Sequence, residues 1–271
     1  YDFILDLDVS SPLRNLDDIV NGFDILNNDK KMLTLFSVSH PTRNPYFNVV
    51  ELKEDGFCIN IDINHETSND LSTIKCDITN VIEVKSCIER IISKYTRIDG
   101  LVNNAYPRTS DWGVKFEDIK FSSWQKNIDI QLNSYFFITQ QVSSHMVKSK
   151  NGSIINIASI YGVVGPDFNV YDNTEMTMPA AYSAIKGGIV NFTRYLASYL
   201  GPKSVRTNTV SPGGIFDNQN SKFVEQYINK VPMRRMGNPD DISPVVVFLL
   251  SEDSKYISGQ NIIVDGGWTA I

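Results

Sequence analysis

From residue 57 onward, short apolar runs alternate with longer stretches whose apolar residues recur at helical spacing, and few folds tolerate that alternation. Strands are expected at 57–63, 100–103, 153–158, 205–210 and 261–264, and helices at 81–95, 122–148, 181–200 and 240–250. The first of these helices puts Val84, Ile88, Ile91 and Ile92 on one face. Short apolar strands separated by helices predict an α/β protein, a doubly wound parallel sheet with helices on both faces. Ligands of such sheets bind beyond the carboxyl ends of the strands.

Residues 1–55 differ in composition and read as strand, helix and strand at 3–7, 15–26 and 32–38. Asn15 is a helix cap, with Asp17 and Asp18 in the first turn. The chain therefore divides into an appendage, 1–55, and a main domain, 56–271. A strand-like run follows directly on Tyr1, as expected of a fragment.

The net charge of −6 argues against nucleic acid or an anionic membrane as the main partner. The three cysteines, Cys58, Cys76 and Cys87, fit neither a disulfide framework nor a zinc site, and read as buried thiols in a reducing cytoplasm. No metal site is expected. No signal peptide and no bilayer-length apolar run is present in the sequence.

Tyr182 and Lys186 stand four apart in a predicted helix, one turn from each other. An ammonium so placed lowers the phenol's pKa and makes it a proton donor or acceptor near neutral pH. With 12 tyrosines such a spacing arises about once by chance, and Tyr199 and Lys203 repeat it. That second pair straddles Gly201-Pro202, which should end the helix. The first has better company. Strand 153–158 leads into Ser159, whose hydroxyl would emerge where a substrate carbonyl could be polarised. Residues 208–215 form a strand and a tight Pro-Gly turn, where backbone could approach a planar ring.

With these pieces in order, residues 57–271 resemble the short-chain dehydrogenase/reductase family. The matching motifs are Cys76-Asp77-Ile78-Thr79, Val102-Asn103-Asn104-Ala105, Ser159, Tyr182 with Lys186, Ser211-Pro212-Gly213-Gly214, 237–242 and 258–267. The resemblance implies a Rossmann-like sheet, interconversion of a carbonyl and an alcohol with NAD or NADP, a cytoplasmic setting, and a homodimer or homotetramer. Tyr182 would be the general acid/base. Lys186 would lower its pKa and hold the nicotinamide ribose, and Ser159 would hydrogen-bond the substrate oxygen. Asp62 would accept from the adenosine ribose, which favours NAD over NADP because a carboxylate repels a 2′-phosphate; it could instead cap a following helix at Glu66. Asp77 and Ile78 would flank the adenine, Asn104 and Ala105 would line the cofactor, and Pro212, Gly213 and Ile215 the nicotinamide. Asn103 could be purely structural, tying strands together.

Three departures from the family pattern matter. Gln131, seven residues past Trp124, replaces a usual Asn that helps relay a proton. Ser159 and Tyr182 are 23 apart, well beyond the usual spacing. The extra residues, 165–178, are expected to form a loop over the substrate. Its polar character suits a hydroxyl-rich ligand such as a sugar, or simply a solvated loop. Third, the family's first strand ends in a glycine-rich turn that receives the pyrophosphate. Before Gly100 this chain has only Gly22 and Gly56.

Residues 7–14 and 44–51 resemble internal motifs of CMP-sialic-acid-type cytidylyltransferases, a fragment without that family's nucleotide loop. The two apolar strands of the appendage are candidates to fill the gap beside the strand ending at Asp62, with 32–38 favoured. Two functions follow. One is an NAD-dependent reductase or dehydrogenase acting on a small molecule, in this context a sugar of a nonulosonic-acid or surface-glycan route. The other is a catalytically impaired fusion that keeps the fold only as a binding or oligomerisation module.

Overall fold

The computed structural model describes residues 4–6, 34–36, 58–60, 74 and 76–271. Strands β1 (Ile4–Asp6), β2 (Thr34–Phe36) and β3 (Cys58–Asn60) are three residues each. They are followed by β4 (Gly100–Asn103), β5 (Gly152–Ile157), β6 (Val205–Pro212) and β7 (Asn261–Val264). A five-stranded parallel sheet runs β2-β4-β5-β6-β7, and β1 pairs in parallel with β3. The ladder is continuous from Gly152↔Val205 to Ile157↔Val210. The expected α/β architecture is thus present.

Alternation along the strands sends neighbouring residues to opposite faces. Leu101 and Ile154 join one core with Val84, Ile88 and Ile91 of helix α1 (Val81–Tyr95). Val102, Ile155 and Val210 join another with Ile242, Val246 and Leu249. These layers place helices on both faces of the sheet, as predicted. Helix α1 begins where expected because the Asn80 side chain accepts from the amides of Ile82 and Glu83.

The long middle helix, expected unbroken over 122–148, comes in three parts. Helix α2 (Phe121–Ile128) passes through a π turn at Asp129–Asn133 into α3 (Ser134–Ser149). Such a turn takes up an extra residue that a 3.6-residue period cannot reveal. Helix α4 (Ala180–Leu200) follows its predicted span closely. Its Ile185, Ile189 and Leu196 are core residues. Helix α5 (Ser221–Lys230) was not expected, and α6 (Pro239–Leu250) closes the series.

The placement of the appendage strands corrects the favoured expectation. Thr34–Phe36 lies beside β4, while Ile4–Asp6 takes the place beside Cys58–Asn60. All four residues of β4 are buried, so its edge needs a backbone partner of its own, and Thr34–Phe36 supplies it. Helix 15–26, Asn15, Arg14, Asp62 and Glu66 lie outside the described residues. Among the described residues no helix is long and apolar enough to cross a membrane.

Candidate active site

Strand β5 is buried throughout and delivers Ala158 and Ser159 at its carboxyl end. The chain then tightens into a 3-10 turn, Ile160–Gly162, in which Ser159 Oγ accepts from the Tyr161 amide at 3.2 Å. A Cβ on Gly162 would lie 2.7 Å from the carbonyl of Lys186, so only glycine lets the turn press against α4 there. That contact brings strand end and helix together. Lys186 is buried, and its Nζ donates to the Ile157 carbonyl at 2.9 Å. The ammonium stands 5.6 Å from the ring centroids of Tyr106 and Tyr182 and 5.9 Å from that of Tyr135, a surround that favours a cation.

Tyr182 is half-buried. Its ring meets Tyr106 edge-on at 5.4 Å and Trp112 at 6.2 Å. Burial pushes its phenol above the ordinary tyrosine range, and a hydrogen bond from Ser159 pulls it part of the way back. The spacing of Tyr182 from Lys186 predicts a lowered pKa. Here desolvation outweighs any lowering, because the phenolate would sit against aromatic rings. At neutral pH Tyr182 is therefore a protonated acid with a hydroxyl neighbour.

A cavity of about 310 Å³ opens at this point. Ser159, Tyr182, Lys186 and Asn104 line it, and so do Pro212, Gly213 and Ile215 from beyond β6. Seven of the predicted site residues thus meet in one space. Of the others, those among the described residues do not line it. Ala105 and Ile78 are buried in the core beside α1. Asp77 is exposed and uses its carboxylate to accept from the amide and hydroxyl of Thr79. Gln131 is buried in the π turn, and its Nε2 has no hydrogen-bond partner. Asn103 does tie strands together: its Nδ2 donates to Thr139 Oγ1 at 2.9 Å and to Asn156 Oδ1 at 2.8 Å. Asn156 continues the network to Thr193, which meets Thr209. The decoy pair is a surface contact, with Lys203 Nζ 3.4 Å from the Tyr199 ring centroid and the helix ended at Leu200.

The 165–178 insertion, expected as a loop over the substrate, supplies part of the cavity wall, while the helix residues it packs on were not predicted. Tyr171, Met176 and Met178 of the 165–178 insertion pack with Phe223, Tyr227 and Met236. Tyr171 stacks on Phe223 at 5.2 Å, and Tyr227 on Trp268 at 4.4 Å. Gln226 donates to the carbonyls of Val170 and Asp172, and Lys230 pairs with Asp167, fixing insertion to helix. The polar Asp172, Asn173 and Glu175 of the insertion are exposed. Its polarity thus belongs to the solvated side, and sulfur and aromatic rings face the cavity. A signal for α5 was available: Asn220 caps it, and Phe223, Val224, Tyr227 and Ile228 share a face.

A nicotinamide cofactor fits what is described of this end of the site. A buried ammonium and a phenol stand beside a Pro-Gly turn whose Gly213 amide is already bonded to Val264 O at 2.9 Å, leaving the turn narrow and rigid. A family profile described as Enoyl-(Acyl carrier protein) reductase matches residues 60–269. The chain is 35% identical over 208 residues to "Post-translational flagellin modification protein A" of Campylobacter coli, covering 76% of this chain and 81% of that protein. It is 34% identical over 209 residues to a 3-oxoacyl-(acyl-carrier-protein) reductase of Buchnera aphidicola, covering 76% and 80%. The chain belongs to the short-chain dehydrogenase/reductase family. A solved member, a short chain dehydrogenase from Leptospira borgpetersenii with bound NAD+, is 36% identical with a TM-score of 0.71, covering 79% of this chain and 82% of that one. As a short-chain dehydrogenase/reductase, the protein is an oxidoreductase of the class acting on CH–OH groups with NAD or NADP. The matched region begins at residue 60, so the 1–55 appendage lies outside it.

Proposed function

We propose that this protein reduces a small-molecule ketone, or oxidises the matching alcohol, using NAD in the cavity that Ser159, Tyr182 and Lys186 share. The single observation that carries this reading is that a strand-end hydroxyl, a phenol and a buried ammonium meet at one opening. In reduction Ser159 holds the carbonyl oxygen and the Tyr182 hydroxyl gives it a proton. Lys186 holds the nicotinamide ribose, with Asn104, Pro212, Gly213 and Ile215 around the ring. The cofactor, when bound, supplies or accepts the hydride. Asp62, read as the ribose-binding carboxylate, favours NAD. The solved relative that carries NAD+ supports that choice.

The substrate belongs to a modification route. Support comes from the flagellin-modification relative and from the resemblance of residues 1–55 to an activating enzyme for acidic sugars. A second copy of the chain as partner is supported by the ring row Phe192, Tyr195 and Tyr199 on α4, whose Tyr195 and Tyr199 are 61% and 57% exposed, with Phe136 of α3 beside it. The second reading, a binding module that no longer grips a dinucleotide, is favoured by the near absence of glycine before Gly100.

A titration with NADH and then NADPH, followed by fluorescence and thermal melting, separates the two. Ligand at 100 times its dissociation constant adds about 2.7 kcal/mol of stability. The enzyme reading expects NADH to bind below the millimolar range and to be consumed with a ketone. No binding of either nucleotide leaves the module reading.

A further inference from the structure

The turn Pro212–Ile215 is a partition. On one side lies the cavity of about 310 Å³, and on the other a second cavity of about 120 Å³, lined by Gly213, Gly214, Ile215 and Tyr227 together with Arg235 and Asp265. A turn with space behind it can be displaced unless it is tied in place. Two ties are backbone: the Gly213 amide donates to Val264 O, and the Gly237 amide donates to Gly214 O, both at 2.9 Å. The third is a side chain. The Gly214 amide donates to the Tyr227 hydroxyl oxygen.

Tyr227 lies directly against the turn. A Cβ on Gly214 would fall 2.6 Å from Tyr227 Cζ, and one on Gly213 would fall 3.2 Å from the Tyr227 hydroxyl. The two glycines thus leave the room that the phenol fills. The Tyr227 ring is 2% exposed and is fixed by other rings. It stacks on Trp268 at 4.4 Å and stands 5.7 Å from Phe223, which stacks in turn on Tyr171 of the insertion. Burial holds the phenol above the ordinary tyrosine range, so at neutral pH its oxygen accepts the amide proton while keeping its own.

We infer that Tyr227 is a positioning residue: by holding the Gly214 amide it keeps the Pro212–Ile215 turn seated in the arrangement that receives the nicotinamide ring. This rests on the cofactor reading proposed above. Without the hydroxyl, the turn is shared between the seated form and forms displaced toward the second cavity. Only the seated form takes the nicotinamide, so the apparent affinity falls in proportion to the seated fraction.

The test is calorimetric titration of the full chain with NADH and with ADP-ribose, which carries the same adenosine and pyrophosphate but no nicotinamide. It reads binding and needs no turnover. Wild type should bind NADH more tightly than ADP-ribose. Tyr227→Phe keeps the ring stack and removes only the acceptor. It should weaken NADH by about fivefold, the worth of one neutral hydrogen bond, and leave ADP-ribose within about twofold of wild type. Gly214→Ala strikes the same contact from the other side and should show the same selective loss, so the inference is tested even if one variant fails to fold. A merely structural role would weaken both ligands alike or neither, which overturns the assignment while the cofactor reading stands. Equal affinity of wild type for the two ligands overturns it too. If wild type binds neither, the cofactor reading fails and the assignment falls with it.

Discussion

One wall of the cavity, with Ser159, Tyr182 and Lys186, is made of a strand end and a helix joined through backbone. Lys186 bonds to a main-chain carbonyl, and a glycine permits the contact. The other wall, with Tyr171, Met176, Met178 and Phe223, is side-chain packing between an insertion and α5. Backbone geometry tolerates substitution around it, because the ladder from Gly152 to Ile157 holds the strand end in place. Side-chain packing has no such backbone brace, and its shape follows whichever side chains are present. The first wall therefore suits chemistry that stays the same, and the second suits recognition that changes from one relative to the next.

Substitutions should separate the two walls. The largest effect is expected for Tyr182→Phe, which removes the proton donor and leaves the ring packed on Tyr106. Steady-state kinetics should show kcat lower by about 10³-fold, with NADH affinity within about twofold of wild type. Retained turnover would remove Tyr182 from its role. Phe223→Ala comes next. It empties the stack under Tyr171 and should cost about 3 kcal/mol in a denaturant melt. Its KM should rise far more than its kcat falls. An equal loss in kcat would erase the distinction between the walls.

The third expectation concerns pH. Reduction needs Tyr182 protonated, so its rate falls as pH rises through the Tyr182 pKa. Burial raises that pKa, which puts the falling limb above the ordinary tyrosine range. Ser159→Ala removes the hydrogen bond that lowers it, so the limb of the residual activity should move to higher pH. A limb that moves down instead would show that Ser159 acts otherwise. The smallest effect is expected for Lys230→Met. Its pair with Asp167 is half exposed, and its loss should cost under about 1 kcal/mol by thermal melting.

The same contrast explains what could be read from the sequence. Strands 100–103 and 261–264 and helix 81–95 are found at their predicted bounds. Their apolar periods are unbroken and their ends are marked by caps such as Asn80. Ser159, Tyr182, Lys186 and the Pro212 turn were legible for a related reason: strand ends and one-turn helical spacing bring them to the sheet's carboxyl edge, and the family resemblance supplies their roles. The second wall was not legible. No local period announces that Met176 and Met178 will turn inward while Asp172 and Glu175 stay in water, since that depends on where α5 lies. Residue spacing also carries no desolvation, so a lowered pKa was expected for Tyr182 where burial raises it. Strand partners were half legible. Both apolar runs of the appendage do form strands, but the choice of neighbour turned on which sheet edges were left open.

The π turn at Asp129–Asn133 has a consequence for sequence length rather than chemistry. An α-helix turns by about 100° per residue. Removing one residue from 129–133 would let α2 and α3 fuse into an ordinary helix, but with one half rotated against the other by about that angle. Either Asn127 would lose its bonds to Thr109, or Tyr135 would swing away from the Lys186 ammonium. The segment is thus sensitive to residue count more than to residue type. A one-residue deletion there should be far more damaging than any single conservative exchange among its side chains.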